Sequence, residues 1–330
     1  MIDCYNRDIN YLRISVTDRC NLRCMYCMPK EGVSVVGHED ILRYEEIMRI
    51  VRVAVTMGIS KVRITGGEPL VRRGIVDFIS RLSSISGLFD ISLTTNGMLL
   101  ELFAAPLFQA GIKRINVSLD SLNAAKYAEI TRGGDLVTVL RGIEAVYKEG
   151  FSPIKINVVV IKDVNDDEIL DFARLSINKP YQIRFIELMP MGMAGRNYEG
   201  KYLSNDVIIE QINKFLPIES VQSEKRSVDG PARMFKIGGA QGEIGFISPI
   251  SHHFCDSCNR LRLTSDGYLR ACLLTDKDVN LKDSLRNSCS DKELQDLICG
   301  VIAGKPLAHE IGRDENRLRK CVKEMSSLGG

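Results

Sequence analysis

Residues 11–29 read YLRISVTDRCNLRCMYCMP and join a strand-like segment, LRISV at 12–16, to a dense group of cysteines. The alternation of apolar and polar residues in LRISV is typical of a β-strand. Cys20, Cys24 and Cys27 follow at once with the spacing C-x3-C-x2-C. Because an all-protein [4Fe–4S] site uses four cysteines, three in one loop suit a cluster with one iron open to a non-protein ligand. Zinc is a weaker alternative, since it usually takes four ligands and this loop offers no fourth.

The strand–helix pairing repeats along the chain up to about residue 190. Further strand candidates lie at 61–65, 91–96, 114–120, 153–161 and 181–188. Helical patterns lie between them, for example at 44–58 and 136–150, and both of these end in glycine. Six successive β–α units predict parallel strands joined by right-handed crossovers, hence an α/β barrel or an open doubly wound sheet.

The pattern changes after Pro217 to shorter strands punctuated by glycine, and helices resume near residue 281. We therefore predict two units. Residues 1–216 form the β–α unit with the first cysteine group, and residues 217–330 form an extension with the remaining motifs.

One side-chain phase of the predicted strands is polar, although parallel strands are normally buried on both faces and apolar throughout. Arg13, Arg63, Lys155 and Arg184 stand in this phase, together with serine, threonine and asparagine residues. Residues two apart share a face of a strand, so a barrel would direct these cations into its lumen. Because unpaired buried cations are costly, the lumen is expected to hold a polar, anionic ligand. The alternative is that some of these strands lie at a sheet edge, where solvent covers the polar phase.

A second cysteine group lies in HHFCDSCNRLRLTSDGYLRACL at 252–273 and consists of Cys255, Cys258 and Cys272. Three thiols without an evident fourth again suit a cluster with one open iron. A Cys3His zinc site that uses His252 or His253 is the alternative.

Between these cysteines, Arg260 and Arg262 share one face of a strand-like run and Leu261 lies on the opposite face. Two guanidinium groups on one face suit bidentate recognition of phosphate or carboxylate. A solvated basic face is the alternative, and the flanking cysteines favour the recognition role.

Composition narrows the class of protein further. Lys and Arg total 44 and Asp and Glu 42, a formal charge of +2, which gives no bulk electrostatic case for binding nucleic acid or a membrane. The N-terminus has no basic-then-apolar leader, and the longest apolar runs fall far short of the ~20 residues that span a bilayer. Ten cysteines, six of them in two groups, indicate metal ligation in a reducing compartment rather than disulfides. We therefore expect a cytoplasmic protein.

The sequence TDRCNLRCMYC at 17–27 resembles the radical S-adenosylmethionine (SAM) superfamily, and TGGEP at 65–69 resembles a second motif of that family. The resemblance implies an incomplete (β/α)6 TIM-type barrel. It also implies a [4Fe–4S] cluster on Cys20, Cys24 and Cys27 whose open iron is chelated by SAM. The residues that would contact SAM are Tyr26, Gly67, Ser118 and Met189.

The chain further resembles a branch of this superfamily that cyclises GTP in the first step of molybdenum cofactor biosynthesis. The resemblance rests on CNRLRLTSDGYLRACL at 258–273, GEIGFISPIS at 242–251, FIELMPMG at 185–192 and the terminal Gly329-Gly330. It implies a second [4Fe–4S] cluster on the C-terminal cysteines, whose open iron binds guanine. The implied GTP contacts are Arg13, Arg63, Thr94, Lys155, Arg260, Leu261 and Arg262. The implied catalytic residues are Arg13, Arg260, Arg262, Gly329 and Gly330.

The same resemblance implies a lyase that works through a 5′-deoxyadenosyl radical. Its expected partners are GTP, an electron-donor protein and cyclic pyranopterin monophosphate synthase, which takes the product onward. A monomer or a homodimer is expected.

Two other classes of protein stay open. A peptide-modifying radical SAM maturase typically has more auxiliary cysteines, and the basic lumen favours a phosphorylated substrate instead. An iron–sulfur electron carrier would hold closed four-cysteine clusters and would not need TGGEP.

Overall fold

The computed structural model describes residues 1–32, 37, 39–192, 194, 198, 200–221, 230–275, 277–309 and 328. The described residues form one twelve-stranded sheet with the order β12-β11-β10-β1-β2-β3-β4-β5-β6-β9-β8-β7. The strands are β1 (Tyr11–Ser15), β2 (Lys61–Thr65), β3 (Asp90–Thr95), β4 (Arg114–Ser118), β5 (Ile154–Val160), β6 (Tyr181–Glu187), β7 (Ile218–Ser220), β8 (Arg233–Ile237), β9 (Glu243–Ile247), β10 (Arg260–Leu263), β11 (Tyr268–Arg270) and β12 (Asp278–Asn280). The helices are α1 (Tyr44–Thr56), α2 (Ile75–Ser83), α3 (Leu100–Gln109), α4 (Ala124–Thr131), α5 (Leu136–Lys148), α6 (Ile169–Asn178), α7 (Asn205–Phe215), α8 (Leu281–Arg286) and α9 (Asp291–Ala303).

Strands β1 to β6 are neighbours in chain order, and each pairs in parallel with the next. Helices α1 to α6 lie in the connections between them. The predicted six-unit β–α core is therefore confirmed, with strand bounds within one or two residues of the predicted segments. The open order of the sheet agrees with an incomplete barrel.

The C-terminal region extends this core at both edges. Strand β9 pairs in parallel with β6, and β10 pairs in parallel with β1. Antiparallel partners follow on each side, β8 and β7 beyond β9, and β11 and β12 beyond β10. An edge strand leaves backbone N–H and C=O groups unpaired, and these additions satisfy them. Strands from both sides of residue 216 thus share one sheet, and the division into units 1–216 and 217–330 stays a prediction.

The apolar phase of the parallel strands builds the core against the helices. Leu12 and Ile14 of β1 and Val62 and Ile64 of β2 are at most 1% exposed. They belong to one hydrophobic cluster with the buried faces of the helices. Because side chains alternate along a strand, the other phase, which includes Arg13, faces away from this core.

Several helices begin at side chains that satisfy their free N–H groups. Asp135 accepts hydrogen bonds from the N–H groups of Val137 and Thr138 at the start of α5. Ser290 and Glu293 form a capping box at the start of α9. None of the helices in the described part of the chain is both long and apolar enough to cross a bilayer.

Glu187, the last residue of β6, holds the connection between β9 and β10. Its buried carboxylate accepts hydrogen bonds from the N–H groups of Asn205, Ile250 and Ser251, each at 3.0 Å, and from the Ser251 hydroxyl. Residues 248–259 run from β9 at one edge of the parallel strands to β10 at the other. The carboxylate therefore fixes the start of this connection at the C-terminal end of β6.

Candidate active site

The first cysteine group lies in the loop that follows the C-terminal end of β1. The Cys27 N–H donates to the Cys24 carbonyl at 2.9 Å, and the Met25 N–H donates to the carbonyl of Ile130 in α4, also at 2.9 Å. Burial raises the pKa of the Cys24 thiol well above its ordinary value, and the charges of Asp120 and then of Cys27 and Cys20 raise it further. The loop therefore brings the three predicted ligands together against the end of α4.

The TGGEP turn packs directly on the backbone of this loop. The Gly67 N–H donates to the Thr17 carbonyl at 2.6 Å, and the Glu68 N–H donates to the Arg19 carbonyl at 2.8 Å. A Cβ atom at Gly67 would lie 2.4 Å from the Arg19 carbonyl oxygen. The family resemblance assigns Gly67 to contact with SAM. The structure adds a second reason for glycine, which is the close approach of the loop itself.

Glu68 is a buried carboxylate that links the ends of two strands to the cysteine loop. It accepts hydrogen bonds from Leu70 N–H (3.0 Å), the Thr95 hydroxyl (2.8 Å) and Asn96 N–H (2.8 Å). Burial raises its pKa to about 7, against the opposing effect of these donors. The Asn96 amide in turn lies 3.7 Å from the Cys20 sulfur. Glu68 was not among the predicted site residues, although the motif contains it.

Two of the predicted SAM contacts line one cavity. Tyr26 and Met189 line it together with Val159 and Met191. The Tyr26 hydroxyl donates to the Asp120 carboxylate at 2.7 Å, and the Val159 N–H donates to the other oxygen of that carboxylate at 2.9 Å. Burial raises the pKa of Asp120 to about 6. Asp120 thereby fixes the direction of the tyrosine ring, a role that was missed from the sequence.

Leu328 lies beside the same cavity. It is 1% exposed and packs against Met191, with Met189 next to both. The predicted catalytic residues Gly329 and Gly330 lie outside the described residues.

Three arginines form a row across neighbouring strands. Arg262 of β10 is in register with Arg13 of β1, and Arg13 is in register with Arg63 of β2. Burial lowers the pKa of Arg13 well below its ordinary value, and the charges of Arg262, Arg63 and then Arg260 lower it further. Leu261 lies in the hydrophobic core, so its predicted contact with substrate would be made through its backbone.

Polar side chains continue this surface on the next strands. Thr94, Asn116 and Lys155 are in register on β3, β4 and β5, and Ser118 is in register with Asn157. Among the described residues, the Thr94 hydroxyl and the side-chain oxygens of Asn116 and Asn157 are buried without a hydrogen-bond partner. Buried polar atoms of this kind indicate a ligand or water that completes them.

Lys155 is a strongly perturbed cation of the same surface. Burial lowers its pKa from 10.5 to about 6, and the charges of Arg184, Arg114 and Arg63 contribute. These groups therefore lie near one another, as the alternating sequence predicted for Arg63, Lys155 and Arg184. An anion placed among them would restore the charge of the lysine.

The second cysteine group adjoins the row of arginines. Burial raises the pKa of Cys255, and the charges of Cys272 and Cys258 raise it further. The three thiols therefore lie near one another. Burial alone would raise the pKa of Cys258 as well. The positive charge and hydrogen bond of Arg260, with other nearby donors, outweigh the effect of burial, so the pKa of Cys258 is lowered. Arg262 also lies near Cys272 and Cys258. One end of the basic surface thus meets a second three-thiol site.

The histidines of the zinc alternative make other contacts. His252 lies 2.6 Å from the Asp206 carboxylate, and His253 packs edge-on against the His309 ring with 5.5 Å between centroids. No group of three or more His, Cys, Asp or Glu side chains in the described part of the chain is arranged to hold a single metal ion. In a [4Fe–4S] cube each thiolate binds a different iron, so three nearby thiols at each site fit that cofactor.

Comparison with known families defines the class of protein. Residues 14–176 match the radical SAM superfamily, and residues 181–311 match the family described as Molybdenum Cofactor Synthesis C. The fold and the first three-thiol loop are those of a radical SAM enzyme, a class that uses SAM and an iron–sulfur cluster.

Relatives over the whole length identify the branch. GTP 3′,8-cyclase of Thermodesulfovibrio yellowstonii is 50% identical over 332 residues, that of Moorella thermoacetica 48% over 330, and that of Alkaliphilus oremlandii 47% over 330. Each match covers 100% of both chains. This chain belongs to the GTP 3′,8-cyclase family.

Solved structures support the architecture. Streptococcus suis SuiB bound to the precursor peptide SuiA has a TM-score of 0.58 at 15% identity and covers 98% of this chain and 77% of that chain. SuiB bound to S-adenosylmethionine has a TM-score of 0.52 at 14% identity, covering 87% and 68%. At these identities the likeness concerns the fold alone.

Gly67→Ala tests the contact between the TGGEP turn and the cysteine loop. The added Cβ would meet the Arg19 carbonyl at 2.4 Å, so one of the two backbone segments must move. We expect this strain to lower the free energy of unfolding by about 1–3 kcal/mol and to remove most of the iron bound by the first site. Urea unfolding and iron analysis of anaerobically prepared protein measure both effects.

Gly300→Ala is the matched control, because a Cβ there meets no atom within 4 Å. It should keep wild-type iron content and be at least as stable as the wild type, because Gly300 lies within α9 and alanine favours a helix more than glycine does. Wild-type values in Gly67→Ala would show that the loop tolerates a side chain at this contact.

Proposed function

We propose that this protein is a radical SAM lyase that converts GTP to (8S)-3′,8-cyclo-7,8-dihydroguanosine 5′-triphosphate, the first step of molybdenum cofactor biosynthesis. The observation that carries the proposal is the row of arginines on neighbouring strands, the buried Arg262 and the partly buried Arg13 and Arg63, which extends from the second three-thiol site into the sheet. Membership of the cyclase family supports the same substrate.

The charge of the site favours a polyphosphate. Arg13, Arg63, Arg260 and Arg262 adjoin one another, and the buried Lys155 carries a strongly lowered pKa. Burying like charges together is unfavourable unless an anion compensates them. A triphosphate carries several negative charges and accepts bidentate hydrogen bonds from arginine. We therefore assign the triphosphate to this basic surface.

A second [4Fe–4S] cluster on Cys255, Cys258 and Cys272 is part of the proposal. Its support is the donor set, three neighbouring thiols that adjoin Arg260 and Arg262. Such a cluster would leave one iron without a cysteine ligand and would supply a binding position for a nitrogen or oxygen of guanine. The nucleotide would then span from the second site along the arginine row.

With SAM bound, the first cluster would supply abstraction of the hydrogen atom at C3′ of the ribose. Bonding of C3′ to guanine C8 leaves an unpaired electron on the base, so one electron from the reductant and one proton complete the 7,8-dihydro product. The chain's own residues hold the reactants. Asp120 fixes the Tyr26 ring at the cavity that Met189 also lines. The arginine row fixes the triphosphate, so that the ribose is held between the two cysteine groups. Such positioning lowers the entropic part of the barrier, while the buried setting excludes water from reactive species.

Cysteine variants separate the two sites. With SAM and a reductant under anaerobic conditions, the wild-type protein should bind close to eight irons and release 5′-deoxyadenosine in a GTP-dependent manner. Cys24→Ala should abolish SAM cleavage. Cys258→Ala should lose half of the iron yet retain some SAM cleavage that GTP no longer controls.

Cys299→Ala is the control, because this cysteine is exposed and stands outside both groups. It should behave as the wild type. Release of 5′-deoxyadenosine without any dependence on GTP would exclude GTP as the substrate, and zinc in the second site would exclude the second cluster.

Lys155→Met tests the basic surface through pH. In the free protein Lys155 has a pKa of about 6, and bound triphosphate should raise it. GTP binding therefore takes up a proton above pH 6, and affinity should rise as the pH falls toward 6. Lys155→Met should remove this proton uptake and weaken binding by ~1.5–3 kcal/mol, as for one lost charge-assisted hydrogen bond. Calorimetry in buffers of different ionisation enthalpy measures both quantities.

Lys148→Met is the control, since this lysine is exposed at the end of α5. Protons that GTP itself gains or loses on binding are the same for this variant. Its proton uptake and its affinity for GTP should therefore match those of the wild type. Equal proton uptake in the Lys155 and Lys148 variants would place the triphosphate elsewhere.

We also propose that Gly329 and Gly330 reach the active site. The support is Leu328, which is buried against Met191 beside the cavity lined by Tyr26. Glycine has no side chain, so a Gly-Gly segment that follows Leu328 can enter a narrow space that a larger residue would not fit.

Deleting Gly329 and Gly330 should leave iron content and GTP affinity nearly unchanged but strongly lower the yield of cyclised product. Product analysis by chromatography, with iron content and calorimetry as controls, measures this. Normal product formation by the truncated protein would make the tail dispensable.

The remaining partners follow from family membership and are proposals of the same kind. We assign the enzyme to the cytoplasm, with an electron-donor protein as reductant and cyclic pyranopterin monophosphate synthase as the next enzyme.

A further inference from the structure

Lys305 is a buried lysine outside the predicted site. It follows α9 closely in the chain, and it is only 3% exposed. A buried ammonium group is costly unless each of its donors finds an acceptor. Its surroundings therefore need an explanation.

The Lys305 ammonium joins three parts of the second cysteine site. It donates to the carbonyl of Arg260 at 2.8 Å and to the carbonyl of Ala271, the residue before Cys272. It also donates a hydrogen bond to the thiol of Cys258. One side chain thus connects the start of β10 and the segments that carry two of the three thiols, and its three donors match three acceptors.

The residues after Lys305 hold the third thiol in the same way. The His309 N–H donates a hydrogen bond to Cys255. Arg7 donates to the Cys255 carbonyl at 2.9 Å and to the carbonyls of Pro306 (2.9 Å) and Leu307 (3.2 Å). The segment 305–309 therefore packs along the second site and directs N–H groups at the sulfurs of Cys255 and Cys258.

The negative groups that face Lys305 are thiolates. Burial lowers the pKa of Lys305 below its ordinary value; Cys258 and Cys272 oppose this shift and favour the charged form, while Arg7 adds to it. In the described part of the chain, no carboxylate forms an ion pair with this lysine. A cation placed against thiolates alone acts on whatever those thiolates bind.

We propose that Lys305 is a positioning residue of the second cluster, which its ammonium holds in place and stabilises in the reduced state. This inference rests on the proposed second cluster. N–H groups directed at cluster sulfurs, and a fixed positive charge beside them, favour the state that carries one more electron. The lysine also fixes the backbone of Arg260, one of the arginines that adjoin the second site.

The test is an EPR-monitored redox titration of the holoenzyme. The second cluster is identified as the signal that changes on addition of GTP rather than SAM. Relative to wild type, Lys305→Met should keep close to eight irons and lower the ratio of reduced to oxidised second cluster at a fixed potential by about tenfold, as for one lost hydrogen bond to a charged group. The signal that responds to SAM should not move. Lys305→Arg, which keeps the cation, should restore most of the ratio.

The outcomes are distinct from those for the proposed function. If the wild-type protein binds only four irons and shows no signal that responds to GTP, the protein has no second cluster and the proposed function fails on this point. A normal second signal in Lys305→Met, with an unchanged ratio, would overturn the role of Lys305 alone. If Lys305→Met binds only four irons, the ratio is measured in Lys305→Gln instead, because glutamine keeps N–H donors but lacks the positive charge. An unchanged ratio in that variant overturns the proposal, and a lowered ratio supports it.

Discussion

Arg13, Arg63 and Arg262 lie side by side on three neighbouring parallel strands, on the face turned away from the helices. Like charges held this closely repel one another, and burial adds the cost of lost hydration. The apolar face of the same strands, which includes Leu12 and Ile14, supplies the compensating free energy by packing against the helices. The protein therefore keeps this surface in an unfavourable electrostatic state that a bound anion would relieve.

Buried carboxylates fix the ends of alternate strands around this surface. Glu68 follows β2, Asp120 follows β4 and Glu187 ends β6, and each accepts backbone hydrogen bonds from the neighbouring strand or the loop after it. Glu68 accepts a hydrogen bond from the N–H group of Asn96, just after β3, and Asp120 accepts one from the N–H group of Val159 in β5. The loops that carry the cysteines and the tyrosine are thus held by side chains from the sheet.

Much of this arrangement could be predicted from the sequence, since the period-two alternation locates β1 to β6 and their cationic phase. Pairing of β9 with β6 and of β10 with β1 could not, because strand partners distant in the chain leave no local pattern. The roles of Asp120 and Glu68 were missed for a related reason. A carboxylate that binds backbone N–H groups of another segment looks like any acidic residue until the fold brings them together. Gly67 was assigned to SAM alone, because its contact with Arg19 depends on two loops meeting.

The pairing of β1 with β10 bears on how the chain is made. On the ribosome, β1 emerges first and acquires β2 early, but its other edge stays unpaired until Leu263 has been synthesised. An exposed parallel strand edge is a template for pairing with other chains, and such long-range contacts form slowly. The nascent protein therefore passes most of its synthesis with the strand that precedes its first cysteine loop open to aggregation.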